Sequence, residues 1–286
     1  MGIFNQATPT NSGEMPGIMS QLMFTVTLLA ILYIVLLFIE VVYKYFNRLS
    51  INRTVLLPNT YNIDDKSITI PQNPNTRGSK YVSPSDNERS GIEFSYTFYL
   101  NVNPSAFRQE YGLSHIFHKG YSSQFPLLAP GVYMRSDTNT LRVYMNSYKT
   151  WNNFIEVENI PIGKWVHVAL VVSENSLEIY INGNLAKKMP FEGFAPYQNY
   201  QDIQCFNQRR ITMKRSTGAA SVDENGFDVF GAMKGQLSRL NYFSYALCYA
   251  EIQRIMNEGP SSKLDSAVAT GNIPPYLNDT WWSQGY

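Results

Sequence analysis

The stretch GKWVHVALVVSENSLEIYINGN, residues 163–184, decides how this chain folds. In its second half Leu177, Ile179 and Ile181 fall on one side and Glu178, Tyr180 and Asn182 on the other. That period of two is the mark of a strand with one dry and one wet face. In the first half Val166, Val168, Leu170 and Val172 face one way, yet Trp165, Ala169 and Val171 opposite them are apolar too. Such a strand is covered on both sides, as inside a sandwich. Asn182-Gly183 then permits the positive φ angles of a tight hairpin, which returns the chain through Leu185 and Ala186.

Similar runs surround it: IEFSYTFYLNV at 92–102, SHIFHK at 114–119, GVYMRS at 131–136, LRVYMN at 141–146 and NFIEVENI at 153–160. Turn signals at residues 136–139 and 161–163 separate them, which predicts an antiparallel sandwich. Further on, a strand over residues 236–243 runs into a short helix whose Ala250, Ile252 and Ile255 are expected to pack back on the sheet. An aromatic content of 14% suits a β-rich core. A net charge of +1 offers nucleic acid no global attraction, so none is expected as a partner. Cys205 and Cys248 are too few for a disulfide framework or a cysteine-built zinc site, and free thiols are the simpler reading beside a single bridge.

From Leu22 to Ile39 no residue is charged. As a helix this run is roughly 27 Å long, close to the hydrocarbon thickness of a bilayer. A transmembrane helix over 21–46 is therefore expected, with Leu22, Phe24, Leu28, Leu32, Leu36 and Ile39 among its lipid-facing anchors. The preceding residues 1–20 lack the basic leader of a cleaved signal, so the anchor is expected to stay. Lys44, Arg48 and Arg53 follow the run while Glu14 precedes it, which puts the large C-terminal part on the cytosolic side. Residues 47–91, with Pro58, Pro71, Pro74 and Pro84, read as an extended connector, 92–257 as the sandwich and 258–286 as an extended tail.

Candidate sites are few. Glu156 and Glu158 are two apart on one strand, but a retaining glycosidase needs an arranged carboxylate set, and the pair reads as a solvated strand face. His115 and His118, three apart in a strand, are expected on opposite faces and unable to share a metal. His167 is expected in the core or at an interface, and Asp137, Asp223 and Glu224 have no calcium-loop spacing. No catalytic residue, cofactor or metal is expected. The loop 195–226 carries Arg209, Arg210, Lys214 and Arg215, a solvated run or a docking surface for an acidic partner or lipid headgroups. Trp281 and Trp282, in the tail NIPPYLNDTWWSQGY, are expected to dock on a protein surface, of this domain or of a neighbour.

In this order, IEFSYTFYLNV, GKWVHVALVVSENSLEIYINGNLAKK and MKGQLSRLNYFSYALCYAEI resemble the concanavalin A-like, laminin-G-like lectin/glucanase jelly roll over roughly residues 92–257. That fold hosts lectins, glycosidases and structural modules alike. With the anchor and the PPYLNDTWW tail, the architecture is similar to membrane-anchored minor capsid proteins in virions of large icosahedral DNA viruses, which link an internal membrane to the capsid shell. This resemblance implies a non-enzymatic structural protein whose partners are a lipid bilayer and other capsid or scaffold proteins. A membrane-anchored lectin, with Trp151 and Tyr180 stacking on glycans, is the alternative.

Overall fold

A computed structural model describes residues 15–85, 92–108, 110–124, 127–150, 153–174, 176–191, 193, 195–211 and 227–265. The chain divides into two units, Met1–Ile51 and Asn52–Tyr286. In the first, α1 (Met15–Ile51) extends beyond both ends of the expected span. Its segment Gly17–Lys44 is a candidate membrane span, and Leu22, Phe24, Leu28, Leu32, Leu36 and Ile39 are all exposed on it. The two threonines inside the apolar run cost little to insert. Thr25 Oγ1 donates to Leu22 O and Thr27 Oγ1 to Met23 O, each at 2.8 Å. The full chain is therefore expected to stay with the membrane pellet through alkaline carbonate extraction. Its release into the supernatant would remove the anchor.

The second unit contains β1 (Arg53–Asn62), β2 (Ile68–Ile70), β3 (Phe94–Val102), β4 (Leu113–Gly120), β5 (Leu128–Arg135), β6 (Leu141–Tyr144) and β7 (Phe154–Val157). These are followed by β8 (Trp165–Ser173), β9 (Ser176–Ile181), β10 (Asn184–Pro190), β11 (Ile203–Cys205), β12 (Arg210–Ile211), β13 (Val229–Ala232), β14 (Gly235–Phe243) and α2 (Tyr249–Met256). One sheet has the order β1-β14-β3-β8-β9-β10 and the other β12-β13-β4-β5-β6-β7, with β11 joining β2 to β4. The decisive stretch forms β8 and β9 and enters β10, turning through Asn182 (φ 47°) and Gly183 (φ 76°). Between the sheets lies the main core, where Leu237, Leu100 and Val166 stand side by side on β14, β3 and β8. Cys205 is buried and Cys248 exposed, and both are free.

The connector expected over 47–91 is corrected. Only Asn52 separates α1 from β1, and β1 is a ten-residue edge strand paired with β14. Its Pro58 sits where the register shifts, between Leu57 and Thr60, and an edge strand tolerates the missing N–H there. Leu56, Leu57 and Tyr61 of this strand belong to the core, so proline content misled the reading while burial decided the structure.

On the outer face of the first sheet sits α2. Tyr99 Oη donates to the carbonyls of Ile255 and Met256 at 2.7 and 3.0 Å, tying the strand to the helix end. Ile252 and Ile255 are buried as expected, whereas Ala250 is exposed.

Candidate functional site

The outer face of the second sheet carries Glu156, and this carboxylate is engaged by arginines. Arg142 on β6 stands opposite Glu156 on β7, and its side chain is 4% exposed. Arg142 Nε donates to Glu156 Oε1 at 2.8 Å, while its terminal nitrogens donate to the hydroxyls of Tyr144 and Tyr111 at 3.0 Å each. The Phe154 ring lies 4.4 Å from the guanidinium carbon. Arg135 approaches Glu156 at 3.8 Å and grips Asp137 through two hydrogen bonds of 3.0 and 2.6 Å. Glu156 is thus an ion-pair partner and not a solvated strand residue, while Glu158 lies beyond the end of β7 and is exposed. The hydrogen bonds from Arg135 hold the Asp137 carboxyl below the usual carboxylate range.

The histidines also differ from expectation. His115 pairs with Tyr133 and Phe117 with Val132, so two steps along β4 match one along β5. This bulge at Ile116 resets the alternation and brings His115 and His118 to the same side. Their rings join, His115 Nε2 to His118 Nδ1, at 2.8 Å. Backbone partners assign the protons: the Asn207 N–H donates to His115 Nδ1 at 2.9 Å, and His118 Nε2 lies 2.8 Å from Tyr121 O. His115 therefore carries its proton on Nε2 and donates to His118, which donates to Tyr121. Both rings are neutral and fully used. Burial lowers His115 well below its ordinary pKa and His118 to about 4.

On the first sheet, strand register builds two neighbouring outward rows. One runs Thr60, Ser238, Tyr99, His167 across β1, β14, β3 and β8. It is buried, with Ser238 Oγ accepting from the Ser261 N–H at 2.9 Å and Tyr99 bonded to α2. Neither ring nitrogen of His167 has a hydrogen-bond partner, and burial pushes its pKa down to about 4. The next row toward the sheet end is Asn62, Gln236, Asn101, Trp165. All four are half-buried. Three of them, with Asp64 and Asn103, line a cleft of about 320 Å³. Gln236 Nε2 donates to Asn62 Oδ1 at 3.0 Å. Gly235 is required beside them, because a Cβ there would fall 2.3 Å from Asn101 O. Each amide offers both a donor and an acceptor, and Trp165 on the neighbouring strand adds an apolar ring. An amide row ending on an indole suits a neutral, hydroxyl-rich ligand.

Residues singled out from sequence are scattered. Arg209 is exposed, and Arg210 on β12 has its guanidinium carbon 4.8 Å from the Phe230 ring centroid. Tyr180 donates to Glu178, which also pairs with Lys188, so it is not a free sugar platform. Trp151, Lys214, Arg215, Asp223, Glu224, Trp281 and Trp282 lie outside the described residues. Among the described residues, no three His, Cys, Asp or Glu gather as a metal site.

Comparison with known proteins agrees with the fold. A laminin-G-type family model, described as the concanavalin A-like lectin/glucanases superfamily, matches residues 76–253, more than half of the chain. No curated protein matches in sequence. Similar solved structures include the receptor-binding domain of botulinum neurotoxin D, at 12% identity and a TM-score of 0.48, covering 71% of this chain and 43% of that one. Another structure of the serotype D binding domain gives 11% identity and a TM-score of 0.47, covering 72% and 51%. The binding domain of botulinum neurotoxin DC in complex with SialylT gives 13% and 0.38, covering 58% and 35%. This chain thus spans about half or less of the length of these relatives.

Proposed function

The chain belongs to the concanavalin A-like lectin/glucanases superfamily, and from that membership we propose that it is a membrane-tethered, non-catalytic protein that binds saccharide on its first sheet. One observation carries the reading: the half-buried row Asn62, Gln236, Asn101, Trp165, whose three amides line a polar cleft. Amides satisfy sugar hydroxyls in pairs, and an indole covers the apolar face of a ring. The non-catalytic part rests on Glu156, which Arg142 and Arg135 hold as a counter-ion where a hydrolase needs a free acid–base pair. Membrane tethering rests on α1. The proposed orientation, with the sandwich on the cytosolic side, rests on Lys44, Arg48 and Arg53, which follow the apolar run in sequence.

A glycan array probed with the full chain in nanodiscs tests this reading. We expect retention on some glycans, and a loss of at least about tenfold in affinity for Trp165→Ala and for Asn101→Ala, one lost contact being worth about 1.4 kcal/mol. Retention unchanged in both variants would move the site elsewhere.

A second reading is structural, as a minor capsid protein linking a virion's internal membrane to its shell by protein contacts. The combination of a candidate membrane span with a sandwich domain and the PPYLNDTWW sequence favours it. An empty array together with co-purification of a shell protein would favour this reading over the first.

A further inference from the structure

The polar side chains of the cleft beside the amide row are the amides of Asn62, Asn101, Asn103 and Gln236 and the carboxylate of Asp64. No lysine or arginine lines it among the described residues. Lys164 and Lys234 each follow or precede a lining glycine in sequence, yet neither belongs to the cleft wall.

The residue before Asp64 fixes its place. Ile63 is fully buried, its N–H donates to Gly235 O at 2.9 Å, and its carbonyl accepts from Gln208 Nε2 at 3.2 Å. The turn after β1 is thereby tied to the cleft wall. Asp64 itself is exposed and has no ion-pair partner among the described residues.

The amides are partly committed to one another. Asn62 Nδ2 donates to Asp65 Oδ2 at 3.1 Å, and Asn62 Oδ1 accepts from Gln236 Nε2. Asn103 Oδ1 accepts from the Ser105 N–H and hydroxyl, at 3.0 Å each. What remains for a ligand is an N–H donor on Asn103, a carbonyl acceptor on Gln236 and both on Asn101. A sugar hydroxyl can meet all of these and can also donate to Asp64. A carboxylate, sulfate or phosphate ester has no proton to donate, and beside Asp64 it would place like charges in one cleft with no lining cation to offset them.

Given a saccharide in this cleft, as proposed above, we infer that Asp64 is its specificity-determining residue. It admits neutral and amino-bearing sugars and excludes carboxylated, sulfated and phosphorylated ones. The exclusion works through repulsion of the wrong ligand, and an amino sugar gains an ion pair from the same group.

The test uses the full chain in phosphatidylcholine nanodiscs on an array of matched pairs, each a neutral oligosaccharide beside its sialylated or sulfated derivative. The native chain should favour the neutral member at least about tenfold. Asp64→Asn keeps the size and removes the charge at an exposed position, and it should abolish most of that preference by raising retention of the acidic member. Salt at about 1 M should weaken the preference of the native chain in the same direction. Glu158→Gln, which removes an exposed carboxylate beyond the end of β7, should leave it unchanged. Equal retention of both members by the native chain, or a preference unchanged in Asp64→Asn, would overturn the role of Asp64 while leaving saccharide binding intact. Retention of neither member by the native chain or by Asp64→Asn would remove the saccharide reading, and this role with it.

Discussion

Lowering the pH from 7 to 4 will strip the sandwich of several kcal/mol of folding stability, because all three histidines of the chain are buried without charge. His118 and His167 are each pushed by burial from 6.5 to about 4, and His115 lies well below 6.5. The unfolded chain takes up protons as the pH falls through about 6.5, while the folded chain resists until about 4. Stability is therefore complete above pH 6.5 and is lost between 6.5 and 4, at about 3 kcal/mol for each of His118 and His167. The His115–His118 chain has a structural reason to fail in acid. A proton on His118 Nδ1 would set two N–H groups against each other across 2.8 Å. Urea unfolding at pH 7 and pH 4.5 measures the loss. His167→Phe should keep the tilted ring contact with Tyr99, whose centroid lies 5.0 Å away, and remove about 3 kcal/mol of the pH-dependent loss. It should also raise stability at pH 7, since neither ring nitrogen has a partner to lose. A pH profile unchanged in His167→Phe would rule out its buried, neutral state.

The second large effect is expected at Arg142. Arg142→Met removes a cation that Glu156, Tyr111 and Tyr144 all engage, and Glu156→Leu strands a guanidinium that is 4% exposed. Either change alone should cost about 3–5 kcal/mol. Made together, they should cost much less than the sum, because an apolar pair replaces an apolar-walled ion pair and leaves no buried charge. Chemical denaturation of the two single variants and the double variant checks this. Additive losses would mean that the two side chains do not act on each other.

Local pattern foretold the local structure. Alternation in 163–184 is the alternation of β8 and β9, and the Asn182-Gly183 turn has the left-handed angles expected of it. The charge-free run 22–39 lies within α1 for the same reason, since a continuous apolar surface needs no partner strand to be recognised. What failed was parity and partnership. His115 and His118 share a side because one bulged residue reverses the alternation, and nothing in SHIFHK marks the bulge. β4 changes neighbours at that point, from β13 along Leu113–His115 to β11 along Phe117–Lys119. The amide row was invisible for a related reason. Asn62, Gln236, Asn101 and Trp165 come from four strands far apart in sequence, and the prolines of the first make it resemble a connector. Polar residues at strand ends are common, and only register turns four of them into a surface.

NMR of the indole N–H signals tests the saccharide reading most directly. The chain has four tryptophans, and Trp165→Phe assigns the one on the first sheet. Titrating the full chain in nanodiscs with a pooled oligosaccharide library should shift the Trp165 signal in a saturable way while those of Trp151, Trp281 and Trp282 stay in place. A Trp165 signal that does not move, or a saturable shift confined to another indole, would contradict the account.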